Sequence, residues 1–318
     1  MSLAEQPYLH PTPLETVQPL ALPDFNIREH SQGSLKPHAE YLTQHDRFVM
    51  DDGSVYELDA FFPHQTKFDV PVLYTTPWFT DLRGFNSIYG KELARRGIVS
   101  YAISPERSSN PVDRVTHLGR ISLQHDAYAQ HRILEAIDDK GDGSYMSHGY
   151  SRGALLALGM KAMEDQFGHH QVYADCIDPP LEHAVRPSEM DLQSLAPYFR
   201  DEAKELVRSL TSHQVAEYLN MVRTIRLSGE FWVDQIATGF RLFTGQGGTF
   251  INNLPKDTRM HILHFEGSIF NHALYWQKRL EGFSGITCVS EPGLHMSGFR
   301  RDVISASIGR LVGEQQKL

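Results

Sequence analysis

SYMSHGYSRGALLALG, residues 144–159, is the stretch on which the fold of this chain turns. Its first half has strand character and its second half is a helix rich in alanine and leucine. The join carries Gly149-Tyr150-Ser151-Arg152-Gly153, a G-x-S-x-G pattern. A strand that bends within two residues into a helix forces the residue at the bend into crowded dihedrals. Glycines two positions away on either side relieve that crowding, so the central hydroxyl stands clear above the sheet. Short Gly/Ser patterns arise by chance, and it is the strand-turn-helix setting that gives this one content. The competing reading makes Ser151 a plain helix N-cap.

Working outward, the same alternation continues on both sides. Upstream, RFVMDDGSVYELDAFFP holds two β-rich runs around Asp51-Asp52-Gly53, with Tyr56, Leu58, Ala60 and Phe62 alternating along one face as in a hairpin. The strand in FDVPVLYTTPWFTD follows, then the helix SIYGKELARRG, closing with Gly97 at a C′ position, then the strand IVSYAI and the helix QHDAYAQHRILEAI. Downstream of the helix at 152–165 come the strand YADCI, then RMHILHF, a helix over NHALYWQKRL, the strand GITCVS and a last helix from about Gly298 to Leu311. Strands alternating with helices predict βαβ units and an α/β fold with a mostly parallel, doubly wound sheet, preceded by a β-hairpin.

Two segments break the pattern. Residues 1–40 are rich in Pro and His and are expected to be an arm, flexible or draped over the body. Residues 181–254 contain no convincing strand, while Leu192, Leu195, Phe199, Leu206 and Leu210 fall at helical spacing. The expected organisation is therefore an arm (1–40), a first core part (41–180), a helical cap insertion (181–254) and a second core part (255–318).

Composition narrows the function. The 318 residues carry a formal charge of −9 with a pI near 6.0, and the basic groups are scattered, which argues against a nucleic-acid partner. No run of 18 apolar residues is present and the amino-terminal stretch lacks a basic segment followed by an apolar core, so no membrane partner and a cytoplasmic location are expected. Cys176 and Cys288 sit in strand-like runs with a further strand expected between them, about 10 Å apart, too far for a disulfide. Both are expected to be buried thiols. Seventeen histidines invite a metal reading, yet no CxxC or HExxH spacing occurs, and the two rings of HILH at 261–264 would face opposite sides of a strand. No metal and no cofactor is expected.

A serine hydroxyl is a poor nucleophile at neutral pH unless a base takes its proton. His295, in the loop SEPGLHMSGF after the last strand, has the position for it, because the chain order serine, acid, histidine places it at the carboxyl edge of the sheet.

With Ser151 matching the elbow serine and His295 the histidine after the last strand, the chain resembles the α/β-hydrolase family over roughly residues 41–314, less much of the helical insertion. DDGSVYELDAFFP followed by VLYTTPW also looks like the start of cocaine-esterase and X-prolyl-peptidase relatives, with Trp78 where those usually have tyrosine. The resemblance implies a triad whose acid commonly follows the strand matching HILHF. Here that position is Ser268, and two carboxylates stand in for it: Asp178 in CIDPP, at the end of the preceding core strand, and Glu266, directly after HILHF. Either would hold the imidazole tautomer and stabilise its protonated form. The oxyanion hole is expected from the backbone N–H of Arg152 and of Trp78 or Phe79, and the Arg152 side chain is expected to pair with a neighbouring helix. Tyr150 beside the serine and Trp232 in the cap are candidate substrate contacts.

The reading is a serine hydrolase of carboxylic esters or thioesters, with amides open, acting on a small molecule with an apolar part. The alternatives are a catalytically weak binding protein on the same fold, or a lyase or acyltransferase using the same triad.

Overall fold

A computed structural model describes residues 20, 23–75, 83–105, 123–138, 143–180, 200–202, 204–205, 208, 250–268 and 273–318. The first strands lie inside the segment expected to be an arm: β1 (Ile27–Ser31) and β2 (Lys36–Pro37) both pair antiparallel with β3 (Tyr41–Met50). Their side chains are almost all exposed, so they carry no apolar alternation, and only backbone pairing at the sheet edge defines them. β3 and β4 (Val55–Pro63) form the expected hairpin, paired from Tyr41 opposite Pro63 to Val49 opposite Val55. Gly53 takes φ +87° in its turn, and Asp52 Oδ1 accepts both the N–H (2.9 Å) and the hydroxyl (2.7 Å) of Ser54. The expected face holds: Tyr56, Leu58 and Ala60 are buried on it, and Phe62, on the same face by the unbroken register, is half-buried with its ring edge-on to Tyr101 at 6.4 Å. Phe61 points to the other face, where the closely packed Gly90 leaves room for it; a Cβ at Gly90 would lie 2.3 Å from the Phe61 ring.

Then follow β5 (Phe68–Thr75), α1 (Arg83–Arg95), β6 (Ile98–Pro105), α2 (Leu123–Ile137), β7 (Ser144–Tyr150), α3 (Arg152–Met163), β8 (His170–Ile177), β9 (Met260–Phe265), α4 (Ala273–Arg279), β10 (Ile286–Glu291) and α5 (Arg301–Gln315). The sheet runs β1-β3-β4-β6-β5-β7-β8-β9-β10, antiparallel from β1 through β4 to β6 and parallel from β6 to β10. It is the mostly parallel, doubly wound sheet expected. From β5 the chain steps to β6 on one side, and then returns past β5 to β7 and onward. Right-handed crossovers taken in opposite directions put their helices on opposite faces. Accordingly Tyr89 and Leu93 of α1 join Ile304, Ile308 and Leu311 of α5 over Val72, Tyr74 and Met146, while α2, α3 and Trp276 of α4 cover Leu73, Tyr145, Ala174 and Cys176.

α3 is the most deeply buried helix among the described residues, apolar almost all round, as a helix packed on every side must be. Leu155, Leu156 and Leu158 are fully buried, each side chain contributing about 1.5–3 kcal/mol. At Gly159 an added Cβ would fall 2.7 Å from the ring of Phe250. Phe250, Ile251 and Leu254 join this core cluster, so the main body already begins at the last residues of the segment expected to be a cap. Most of 181–254 lies outside the described residues. Cys176, Ile262 and Cys288 are in register on adjacent strands, which puts the two cysteines two strand spacings apart, about 10 Å. Both thiols are free, but Cys288, on the edge strand β10, is only partly buried rather than buried as expected. Among the described residues no helix is long and apolar enough to cross a membrane.

Strand order reverses at β5, so the carboxyl ends of β5 and β7 border the crevice where doubly wound sheets place ligands.

Candidate active site

Ser151 follows β7 with φ 57° and ψ −125°, a conformation that costs a side-chain-bearing residue about 1–3 kcal/mol. The surrounding backbone enforces it. The Ser151 N–H donates to the Ile177 carbonyl at 2.8 Å, and its own carbonyl accepts the Ala154 N–H at 2.9 Å. A Cβ at Gly149 would lie 2.4 Å from the Gly153 carbonyl and 2.5 Å from Thr75 Oγ1, so the first glycine of the motif is what lets strand and helix approach this closely. Thr75 at the end of β5 closes the turn, its hydroxyl 2.7 Å from the Gly153 carbonyl and 3.0 Å from that of His148. Ser151 Oγ makes no capping hydrogen bond to α3. It lies 2.9 Å from His295 Nε2.

His295 opens a short 3₁₀ turn (His295–Phe299) after β10 and is 5% exposed. Its Nδ1 lies 2.5 Å from Asp178 Oδ2. Asp178, fully buried one residue past β8 at φ 46°, is held by its N–H to the Leu263 carbonyl (2.7 Å) and by Oδ1, which accepts the Phe265 N–H at 3.2 Å. A carboxylate only accepts, so the imidazole proton sits on Nδ1 and Nε2 is left to accept from the serine hydroxyl. Ser151, His295 and Asp178 thus form one continuous chain of hydrogen bonds across the carboxyl ends of β7, β8 and β10.

Glu266 is not part of it. β9 ends at Phe265 and the following turn carries the Glu266 side chain into solvent, while its N–H bonds the Glu291 carbonyl. Tyr150, a candidate substrate contact, is instead buried behind the histidine: its hydroxyl donates to the His295 carbonyl at 2.7 Å, and its ring stacks on the imidazole at 5.0 Å and meets Phe299 edge-on at 4.9 Å. Burial pushes the Tyr150 phenol well above its ordinary range. The Arg152 guanidinium pairs with Asp126 of α2, the neighbouring helix. Asp126 also accepts from the Tyr56 hydroxyl at 2.7 Å, Tyr56 lies 3.0 Å from His125 Nδ1, and His125 Nε2 lies 2.7 Å from Asp52 in the hairpin turn. This buried relay braces the residue after the serine against the first hairpin, and no local sequence pattern marks it. As first residue of α3, Arg152 has an N–H outside the helical ladder. Trp78, Phe79 and Trp232 lie outside the described residues.

Two acidic residues that sequence reasoning passed over also touch the site. Glu202 accepts the N–H groups of His295 (3.0 Å) and Met296 (2.8 Å), and Glu205 accepts the Ser297 hydroxyl at 3.0 Å.

A second serine, histidine and aspartate meet elsewhere, and their geometry excludes the same chemistry. Ser307 Oγ (3.0 Å) and Asp175 Oδ2 (3.2 Å) both approach the same nitrogen of His148, Nδ1, whereas a proton relay needs one partner on each. All three are fully buried, and Arg310 grips Asp175 through Nε (2.6 Å) and Nη2 (3.2 Å). Among the described residues no group of three or more His, Cys, Asp or Glu side chains is arranged to hold a metal ion.

The chain has the α/β-hydrolase fold. A probable hydrolytic enzyme from Pseudomonas aeruginosa superposes with a TM-score of 0.61 at 14% identity, covering 88% of this chain and 95% of that one. The peroxisomal α/β-hydrolase Lpx1 from Saccharomyces cerevisiae does so at 0.60 and 10%, covering 93% and 90%. An esterase from Exiguobacterium antarcticum gives 0.57 and 10%, covering 84% and 97%. No protein-family model and no curated protein matches the chain.

Proposed function

We propose that the protein is a serine hydrolase of carboxylic esters or thioesters. The observation that carries this reading is the unbroken sequence Asp178 Oδ2, His295 Nδ1, His295 Nε2, Ser151 Oγ, with spacings of 2.5 and 2.9 Å. Ser151 Oγ attacks the substrate carbonyl while His295 Nε2 takes its proton. The oxyanion so formed is held by the Arg152 N–H, with a second donor from Trp78 or Phe79. The imidazolium, steadied by Asp178, returns the proton to the departing alcohol or thiol, leaving an acyl-serine. Water then gives its proton to His295 and attacks the acyl carbon, and collapse releases the carboxylic acid and restores the serine. The carboxylate beside His295 weakens the binding-protein alternative, whose motive was the missing acid after HILHF. Esterase and hydrolase chemistry among the structural neighbours supports the same class.

The test is labelling by a fluorophosphonate probe together with turnover of p-nitrophenyl esters of graded acyl length, with Ser151→Ala as control. Wild type should label and turn over at least one ester, and the variant should do neither. A wild type inert to probe and panel alike would sink the proposal.

A further inference from the structure

We propose that Glu202 is a positioning residue that clamps the backbone of His295 and so helps to set the geometry of the candidate triad; this rests on the hydrolase reading above. Glu202 is 4% exposed, and its two oxygens are used separately, Oε1 on the His295 N–H and Oε2 on the Met296 N–H. These are the first two N–H groups of the 3₁₀ turn, which have no acceptor within it. One helical turn on, Glu205 Oε1 accepts from Ser297 Oγ, and the same Oγ accepts the Leu294 N–H at 3.0 Å. The three-residue spacing puts both carboxylates on one helix face, and together they grip residues 294–297. From the opposite side, Tyr150 donates to the His295 carbonyl. The peptide units on both sides of the His295 Cα are therefore fixed, and with them the origin of the side chain whose two nitrogens must reach Asp178 and Ser151 at once.

Only an ionised carboxylate satisfies both donors. A carboxylic acid or an amide would turn one acceptor into a donor aimed at an N–H, leaving a buried group unpaired. Burial raises the Glu202 pKa, and the two N–H bonds and His295 oppose that rise. A carboxylate kept buried at such a cost, with both oxygens spent on the N–H groups of His295 and Met296, has its explanation in that histidine. Nothing in local sequence pattern marks it: DEAKEL reads as an ordinary helix surface.

The experiment compares wild type, Glu202→Gln, Glu202→Asp and, as control, Asp201→Asn on the exposed side of the same helix, where Asp201 pairs with neighbouring Arg200 and Lys204. Because angstrom-scale misplacement of a catalytic group costs up to about 100-fold, Glu202→Gln should lower kcat on a p-nitrophenyl ester by about 10- to 100-fold with KM within about twofold. Glu202→Asp keeps both oxygens but falls short by a methylene, and should lose about 3- to 10-fold in kcat; it decides the matter if the glutamine variant does not fold. Asp201→Asn should match wild type. A folded Glu202→Gln or Glu202→Asp with wild-type kcat overturns the clamp while leaving the hydrolase reading intact. If wild type turns over nothing, the far-downfield proton NMR resonance of the His295–Asp178 hydrogen bond serves instead: it should broaden or vanish in Glu202→Gln, and its persistence unchanged overturns the clamp by itself.

Discussion

Ser151 owes its exposure to its neighbours rather than to itself. Its left-handed backbone is tolerated because Ile177, Ala154 and Thr75 bind the turn from three sides and because Gly149 has no Cβ to collide with Gly153. The acid is the sharper question at this scale. Asp178 touches Nδ1 and Glu266 is in solvent, so the two carboxylates should separate cleanly in kinetics. Asp178→Asn should cost about 10³- to 10⁴-fold in kcat, because an amide can stabilise the wrong imidazole tautomer, while Glu266→Gln should stay within about twofold. The reverse ranking in a p-nitrophenyl ester assay would refute the assignment. Sequence reasoning reached Ser151, His295 and the pair of candidate acids because each sits at a strand end with a readable strand before it. It misplaced Tyr150, since adjacency to the serine says nothing about which way a strand-end ring points.

At the scale of elements, β7, β8, β9 and α5 are tied together by a buried charge. Asp175 on β8 is approached by His148 on β7, His261 Nδ1 on β9 (3.3 Å) and Ser307 and Arg310 on α5, and despite the desolvation that opposes it these partners hold its carboxyl well below the usual range. Removing one partner of such a pair leaves a buried charge uncompensated, so Asp175→Asn should lower unfolding stability by about 3–5 kcal/mol in urea titrations. Fluorophosphonate labelling of the folded fraction should persist. A loss below about 1 kcal/mol would mean that the network contributes little. The helices and parallel strands were legible because apolar residues repeat with the period of each element. β1 and β2 were not, because an edge strand with solvent on its side chains is defined by backbone pairing to β3 alone. The burial of Phe61 was not legible for a related reason: β4 is covered on both faces, so a ring off the expected face is buried too, against Gly90 and Ala94 of α1.

For the whole molecule, acid should be the destabilising direction. His131 of α2 is fully buried, and desolvation depresses its pKa from 6.5 to about 3, against the opposing hydrogen bond to the Met160 carbonyl. Between those values the unfolded chain binds a proton that the folded chain refuses, so stability falls as pH drops from 6.5 toward 3, by roughly 4 kcal/mol at most from this group. Asp175 adds to the loss only as pH falls below about 3.8, because its folded pKa lies lower still. Urea midpoints taken from pH 7.5 to 4.5 should decline, and His131→Gln, which keeps an N–H for Met160 and removes the titration, should flatten the curve. A wild-type midpoint constant across that range would rule this out.

The sequence by itself determined the alternation of strands and helices, the doubly wound class, the elbow at Ser151 and the histidine after the last strand, because periodicity and turn chemistry are local and survive without knowledge of the partner. Tertiary structure decided which carboxylate meets His295, that the Phe61 ring of β4 is buried, and that Glu202 holds the backbone of His295. Each of these is a contact between residues tens of positions apart, and its existence depends on strand order and on the few ångströms by which a turn ends before or after a residue.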